Sequence, residues 1–151
     1  SASTANFDIA DIQIEEGPVP TPFRRNQPNT QAELAACQRY YWRTGYGDLT
    51  GAVFATPLAQ ANNYSGTQIE CIVQFPVQMR KYPTLDMSSV SNQFRFYRNG
   101  GSDDFTSFTL GATSSLFTEL YNTTEISGTA GQAGFVMFNV AGSYVGFSAE
   151  L

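Results

Sequence analysis

The chain has 151 residues, of which 42% are hydrophobic and 14% are charged, and its formal net charge is −5. This length suits one domain with a substantial core, and low charge combined with this hydrophobicity excludes an intrinsically disordered protein. The eight Lys and Arg residues form no basic stripe, which argues against nucleic-acid binding, and no apolar run reaches the roughly 18 residues needed for membrane insertion.

The N-terminal segment is predicted to be extended. Residues 6–15 contain alternating apolar and polar side chains, which predicts a strand. Residues 18–22 contain three prolines, which cannot donate hydrogen bonds to a sheet and therefore indicate a connector. We accordingly divide the chain into an extended N-terminal strand and proline-rich connector, 1–29, and a β-sandwich terminal domain, 30–151.

A short helix is predicted at about 31–41. Thr30 and Glu33 have the spacing of a capping box, in which a hydroxyl and a carboxylate accept the first free N–H groups of a helix. The sequence therefore predicts that the helix starts immediately after Thr30.

The apolar side of this helix is predicted to be structural. Leu34, Cys37 and Tyr41 are spaced to share one helical face, so we expect them to pack on a sheet. Cys37 and Cys71 are the only cysteines, and two buried thiols are expected in preference to a disulfide.

The rest of the chain has the pattern of strands separated by turns. Apolar and polar residues alternate over 68–75, and in 93–98 the phenylalanines alternate with outward-facing Arg95 and Tyr97. The Asn-Gly-Gly sequence at 99–101 predicts a tight turn. Eight or so short strands of this kind predict an all-β antiparallel sandwich or jelly roll with one short helix.

Residues suited to catalysis are scarce. The chain has no histidine, which excludes Ser-His-Asp and Cys-His triads and His-ligated zinc. The acidic doublets are Glu15-Glu16 and Asp103-Asp104. Adjacent side chains point in opposite directions on an extended chain, so neither doublet supplies the facing carboxylates of a glycosidase. Asp103 and Asp104 could bind calcium through oxygen, but they lack the spacing of a dedicated loop. We expect no enzymatic activity, no cofactor and no metal.

Loops that combine tyrosine with small polar residues are the best candidates for ligand binding. A tyrosine ring can stack on a sugar while neighbouring amides and carboxylates bind its hydroxyl groups. The alternative is that these tyrosines only anchor their loops on the sandwich. The candidate ligand-binding residues are Tyr46, Asp48, Asn62, Asn63, Tyr64, Asp103 and Asp104.

Several segments together resemble a known module. They are IADIQIEEGPVPTPFRR at 9–25, ELAACQRYYWRT at 33–44, FPVQMRKYPTLDMSS at 75–89 and the closing GFSAEL. In this combination the chain resembles the C-terminal module of bacteriophage tail-fibre and other virion host-recognition proteins. The resemblance implies that the helix is scaffold and that loops between strands recognise the receptor.

The resemblance also implies a function. It predicts a virion structural protein, the terminal domain of a phage tail fibre or spike, that forms a homotrimer and binds a host-surface glycan or protein without catalysis. Its other partners would be fibre or tail proteins, and assembly in the host cytoplasm would keep the cysteines reduced. Two alternatives remain: a purely structural domain that caps, trimerises or attaches the fibre, and a tail-associated glycan hydrolase.

Overall fold

The computed structural model describes most of the chain beyond its N-terminal segment. The described residues are 19, 22, 28–46 and 56–150. Two compact units divide the chain, Ser1–Leu34 and Ala35–Leu151. The predicted strand at 6–15 lies outside the described residues, and the predicted division between 1–29 and 30–151 stays a prediction.

The single helix, α1, spans Thr30–Gln38 and begins one residue earlier than predicted. Asn29 is its N-cap, because the Asn29 side-chain oxygen accepts a 2.9 Å hydrogen bond from the backbone N–H of Ala32. The Asn29 carbonyl accepts the first helical hydrogen bond, from the N–H of Glu33. The predicted capping box is therefore wrong. Thr30 is the first helical residue rather than the N-cap, and Glu33 is the fourth helical residue, whereas a capping box needs a Glu or Gln at the third.

The predicted packing of the helix through its apolar stripe is also wrong. Leu34 is 56% exposed and Tyr41 is 36% exposed, and no residue of α1 is buried. The helix ends at Gln38 and the chain turns, with the Tyr40 N–H bonded to the Cys37 carbonyl. Tyr41 then belongs to a strand, so the helical spacing that linked it to the stripe does not apply.

The two cysteines differ in environment. Both are free thiols; Cys71 is buried as predicted, but Cys37 is exposed, which corrects the expectation that both would be buried. Burial, with a smaller contribution from the nearby Glu119 carboxylate, raises the pKa of the Cys71 thiol to about 12. Cys71 therefore behaves as a small apolar residue of the core.

Ten strands occur in the described part of the chain, and all their pairings are antiparallel. They are β1 Tyr41–Gly45, β2 Pro57–Ser65, β3 Gln68–Gln74, β4 Thr84–Met87, β5 Phe94–Arg98, β6 Gly101–Phe105, β7 Thr109–Thr113, β8 Phe117–Asn122, β9 Ala133–Phe138 and β10 Tyr144–Ser148. One sheet has the order β1-β10-β4 and the other β6-β5-β9-β2-β3-β8-β7. The prediction of an antiparallel all-β sandwich with one short helix is confirmed, and the jelly-roll strand order stays a prediction.

The alternating patterns read from the sequence match the burial of the strands. In β3, Cys71 and Val73 are buried and Ile72 between them is exposed. In β5, Phe94 and Phe96 are fully buried, whereas Tyr97 is exposed. The predicted turn is present as well: Arg98 pairs with residue 101, and Gly100 at the tip has a φ of +85°, which glycine adopts without strain.

Aromatic side chains make up much of the core between the sheets. Trp42 of β1 stacks on Phe147 of β10 with ring centroids 5.7 Å apart, and both contact Phe75. On the buried face of the larger sheet, the Phe94 ring belongs to a second cluster of phenylalanines, and its centroid lies 4.8 Å from that of Phe108. Each fully buried Phe contributes roughly 1.5–3 kcal/mol relative to an exposed one, so burial of these rings is a large part of the stability of the core.

In residues 28–46 and 56–150, no helix is both long enough and apolar enough to span a membrane.

Candidate ligand-binding face

The first group of predicted site residues is not assembled into a site. Tyr46, directly after β1, is half-buried and packs against the hydrophobic core, and its N–H donates to the Ser143 carbonyl at 2.9 Å. This is the loop-anchor arrangement that the sequence left open as the alternative. Asp48 lies outside the described residues.

The three consecutive candidates on β2 point to opposite faces. Asn62 and Tyr64 lie on the outer face of the larger sheet, where Tyr64 is 66% exposed. Asn63 between them is only 1% exposed, and neither its amide oxygen nor its amide nitrogen has a hydrogen-bond partner in the described structure. Period-two alternation forces this separation, so Asn63 is not available to a ligand that binds Asn62.

The two aspartates lie in β6 rather than at the hairpin tip, and each is paired with an arginine of β5. Asp104 accepts two hydrogen bonds from Arg95, of 2.6 and 2.8 Å, which hold the pKa of Asp104 below its usual value. Asp103 lies 2.6 Å from Arg98 and also accepts hydrogen bonds from the backbone and hydroxyl of Ser127. Their predicted role as ligand contacts stays a prediction.

A different set of residues forms a site-like feature on the outer face of the larger sheet. Tyr97 of β5 and Phe135 of β9 are register partners, and their ring centroids are 5.7 Å apart. They are 53% and 38% exposed, although apolar rings are normally covered. Gln60 of β2 is the register partner of Phe135, which places an exposed amide beside the ring pair.

Three shallow depressions continue from this ring pair across the strands. We call them together the cross-strand groove. Their volumes are about 650, 780 and 340 Å³. The first two share Ala133, Gly134 and Phe135, and the last two share Gln60 and Asn62, so the three are contiguous.

The floor of the cross-strand groove depends on small residues in β9. Ala133 and Gly134 lie between the ring pair and the amides of β2. A Cβ at Gly134 would lie 2.8 Å from the Phe96 ring and would collide with the Tyr97 carbonyl oxygen. Glycine is therefore required at this position for β9 to approach β5 this closely.

Polar groups at the other end of the cross-strand groove are amides and carboxylates. Asn62 is the register partner of Glu70, and Glu70 accepts a 2.7 Å hydrogen bond from Gln68. Glu119 lines the last depression and accepts a hydrogen bond from the backbone N–H of Ala112. In residues 28–46 and 56–150, no three Cys, Asp, Glu or His side chains are grouped to hold a metal.

Comparison with family models, curated proteins and solved structures finds no match to this chain. The features of the chain that bear on its function are therefore the geometry of the cross-strand groove and the resemblance of the sequence segments.

The groove has the features of a recognition surface. The Tyr97 and Phe135 rings offer apolar faces for stacking, and the Gln60 and Asn62 amides can both donate and accept hydrogen bonds. Sequence reasoning placed Tyr97 on an outward face but did not identify it as a site residue. The sequence feature that could have identified Tyr97 is an aromatic residue at an outward position of a strand. Its proximity to Phe135 could not be read from the sequence, because it depends on the pairing of two strands that are distant in the chain.

Proposed function

We propose that this domain binds a host-surface glycan in the cross-strand groove without catalysis, as the terminal domain of a phage tail fibre or spike. The observation that carries the glycan proposal is the exposed Tyr97–Phe135 ring pair beside the Gln60 amide. The virion setting rests on the resemblance of the sequence segments. Host cells present glycans at high density, so weak single sites become effective when several copies bind together.

The shape of the groove supports an extended ligand. The depressions extend from β6 to β8, which are separated by five strand spacings of about 4.8 Å, or about 24 Å in total. An oligosaccharide that crosses the strands would stack on the rings at one end and meet the amides of Gln60 and Asn62 further along. Open, shallow depressions suit a chain that binds lengthwise better than a small molecule, which usually occupies an enclosed pocket.

A purely structural role is the second candidate, and separate residues favour it. Leu116 and Phe117, which do not line the cross-strand groove, are 53% and 45% exposed. Exposed apolar residues of this kind can be covered by a neighbouring subunit or by another fibre protein. Under this proposal the domain would cap or attach the fibre, and truncating these residues would disturb assembly rather than glycan binding.

The test is a glycan-array screen followed by calorimetry with any glycan that binds. We expect Tyr97→Ala and Phe135→Ala each to weaken binding about tenfold or more, because truncating a central aromatic contact typically costs over 1 kcal/mol. Tyr82→Ala is the matched control, since Tyr82 is 71% exposed and does not line the groove. A folded protein with unchanged affinity in both groove variants would refute the glycan site.

A further inference from the structure

The arginines near the cross-strand groove are already occupied by carboxylates. Of the strands that line the groove, only β5 contains arginine, and none contains lysine. Arg98 lies over the Phe96 ring at 5.5 Å and pairs with Asp103, and its side chain is only 9% exposed. Arg98 therefore contributes to the first depression mainly through its paired, covered side chain, and Arg95, at 38% exposure, is the arginine more open to a ligand on the outer face.

Arg95 and Asp104 do not line the depressions but lie at their edge, with Arg95 on the same face of β5 as Tyr97, two residues away. Its guanidinium is held by Asp104 through two parallel hydrogen bonds of 2.6 and 2.8 Å. This fork geometry is the one with which an arginine binds the carboxylate of an acidic sugar. Asp104 therefore occupies the donors that an anionic ligand stacked on Tyr97 would need.

The remaining charges of the groove also oppose an anionic ligand. Glu70 and Glu119 line the depression at the far end and have no arginine or lysine partner among the described residues. An anionic glycan would lie between these carboxylates and Asp104. Like charges brought together at a binding surface lower affinity and select against the wrong partner.

We propose that Asp104 determines the ligand class of the groove: by binding Arg95 it makes the groove selective for neutral glycans and excludes carboxylate-bearing ones. This inference rests on the glycan-binding function proposed above. The Arg95 and Asp104 side chains are 38% and 32% exposed, so solvent screens the pair and its loss leaves the fold intact. Removing the Asp104 carboxylate then releases Arg95 beside Tyr97.

The test uses two probes that differ only at one carbon, methyl glucoside and methyl glucuronide. Each is titrated into the wild-type protein and into Asp104→Asn, and nuclear magnetic resonance follows the Arg95 Nε–H and the Tyr97 and Phe135 amides. We expect the wild type to bind the glucoside about tenfold more tightly than the glucuronide, and Asp104→Asn to gain about tenfold in glucuronide affinity. The Arg95 signal should shift with the glucuronide only in the variant.

Two controls isolate the role of Arg95. Asp103→Asn should gain much less than Asp104→Asn, because the Arg98 side chain that it releases lines the first depression but is only 9% exposed, against 38% for Arg95. Adding Arg95→Gln to Asp104→Asn should abolish the gain. Asp104→Ser provides the same comparison if the Asn variant does not fold.

The outcomes separate this inference from the proposed function. Wild-type protein that binds the glucuronide as tightly as the glucoside overturns the inference and leaves glycan binding in place. A folded Asp104→Asn variant without any gain overturns it as well. Wild-type protein that binds neither probe counts against the proposed function, and the gain or its absence in Asp104→Asn then still decides whether Asp104 blocks Arg95.

Discussion

Two buried asparagines flank the same core residue and differ in how their amides are satisfied. Asn63 of β2 and Asn122 of β8 are both register partners of Ile69 in β3. The Asn122 amide donates to the Ser107 carbonyl at 2.9 Å and accepts from the backbone N–H groups of residues 124 and 125. The Asn63 amide has no partner in the described structure and lies under Gly128, where a Cβ would approach its oxygen to 2.8 Å.

This contrast predicts opposite responses to the same substitution. Asn122→Leu should destabilise the domain by about 1–3 kcal/mol, because it leaves the bonded backbone groups unpaired. Asn63→Leu should leave the stability unchanged or raise it by about 1 kcal/mol, because it removes an unsatisfied buried amide. Chemical denaturation of the two variants measures both values, and a clear loss of stability in Asn63→Leu would show that this amide has a partner.

At the level of the elements, the three-stranded sheet is connected across its outer face by tyrosines. The Tyr41 hydroxyl of β1 donates to Asp86 of β4 at 2.9 Å, and the Tyr144 hydroxyl of β10 reaches the other oxygen of Asp86 at 3.3 Å. The Tyr41 ring passes over Gly146, where a Cβ would lie 2.6 Å from the hydroxyl oxygen. Glycine at this position thus allows β1 to be linked to β4 across the central strand.

This link predicts an alkaline loss of stability. Burial, followed by the hydrogen bond to Asp86, raises the pKa of Tyr41 to about 12. Because the folded pKa lies above the usual value of about 10, the contribution is fully present below pH about 10 and is lost as the pH rises toward about 12. Absorbance titration at alkaline pH should show a late-ionising component that disappears in Tyr41→Phe.

The Asp86→Asn variant tests the cause of this shift. It should move the ionisation of Tyr41 only part of the way back, since partial burial is the largest single contribution and remains. If the pKa of Tyr41 is unchanged in Asp86→Asn, the carboxylate does not contribute to the shift. If the pKa returns completely to its usual value, burial does not contribute.

At the scale of the whole molecule, we predict the state of assembly. The resemblance predicts a homotrimer, and the exposed aromatic and aliphatic side chains on the larger sheet are available for subunit contacts or for ligand. Light scattering is expected to give about three times the chain mass of 16.5 kDa. The trimer should also bind a glycan-coated surface far more tightly than it binds the same glycan free in solution, because linked sites raise the effective concentration. A monomeric mass would contradict this prediction.

The sequence by itself determined the fold class and the orientation of many side chains. Period-two alternation placed Phe94 and Phe96 inside and Tyr97 outside, and Asn-Gly-Gly fixed the following turn, because both signals are local to the chain. The helix was predicted in nearly the right place, but its cap and its packing were not. The cap was missed because the helix begins one residue earlier than predicted, and the packing was missed because it depends on residues that are distant in sequence.

Only the tertiary structure decided the candidate site. The cross-strand groove joins β2, β5 and β9, whose residues lie far apart in sequence, and antiparallel pairing alone brings Gln60, Tyr97 and Phe135 into one row. The same pairing joined Asp104 to Arg95, which the sequence had left as a separate acid and base. Strand register is set by long-range packing of the buried face, and no local pattern in a single sequence specifies which strands become neighbours.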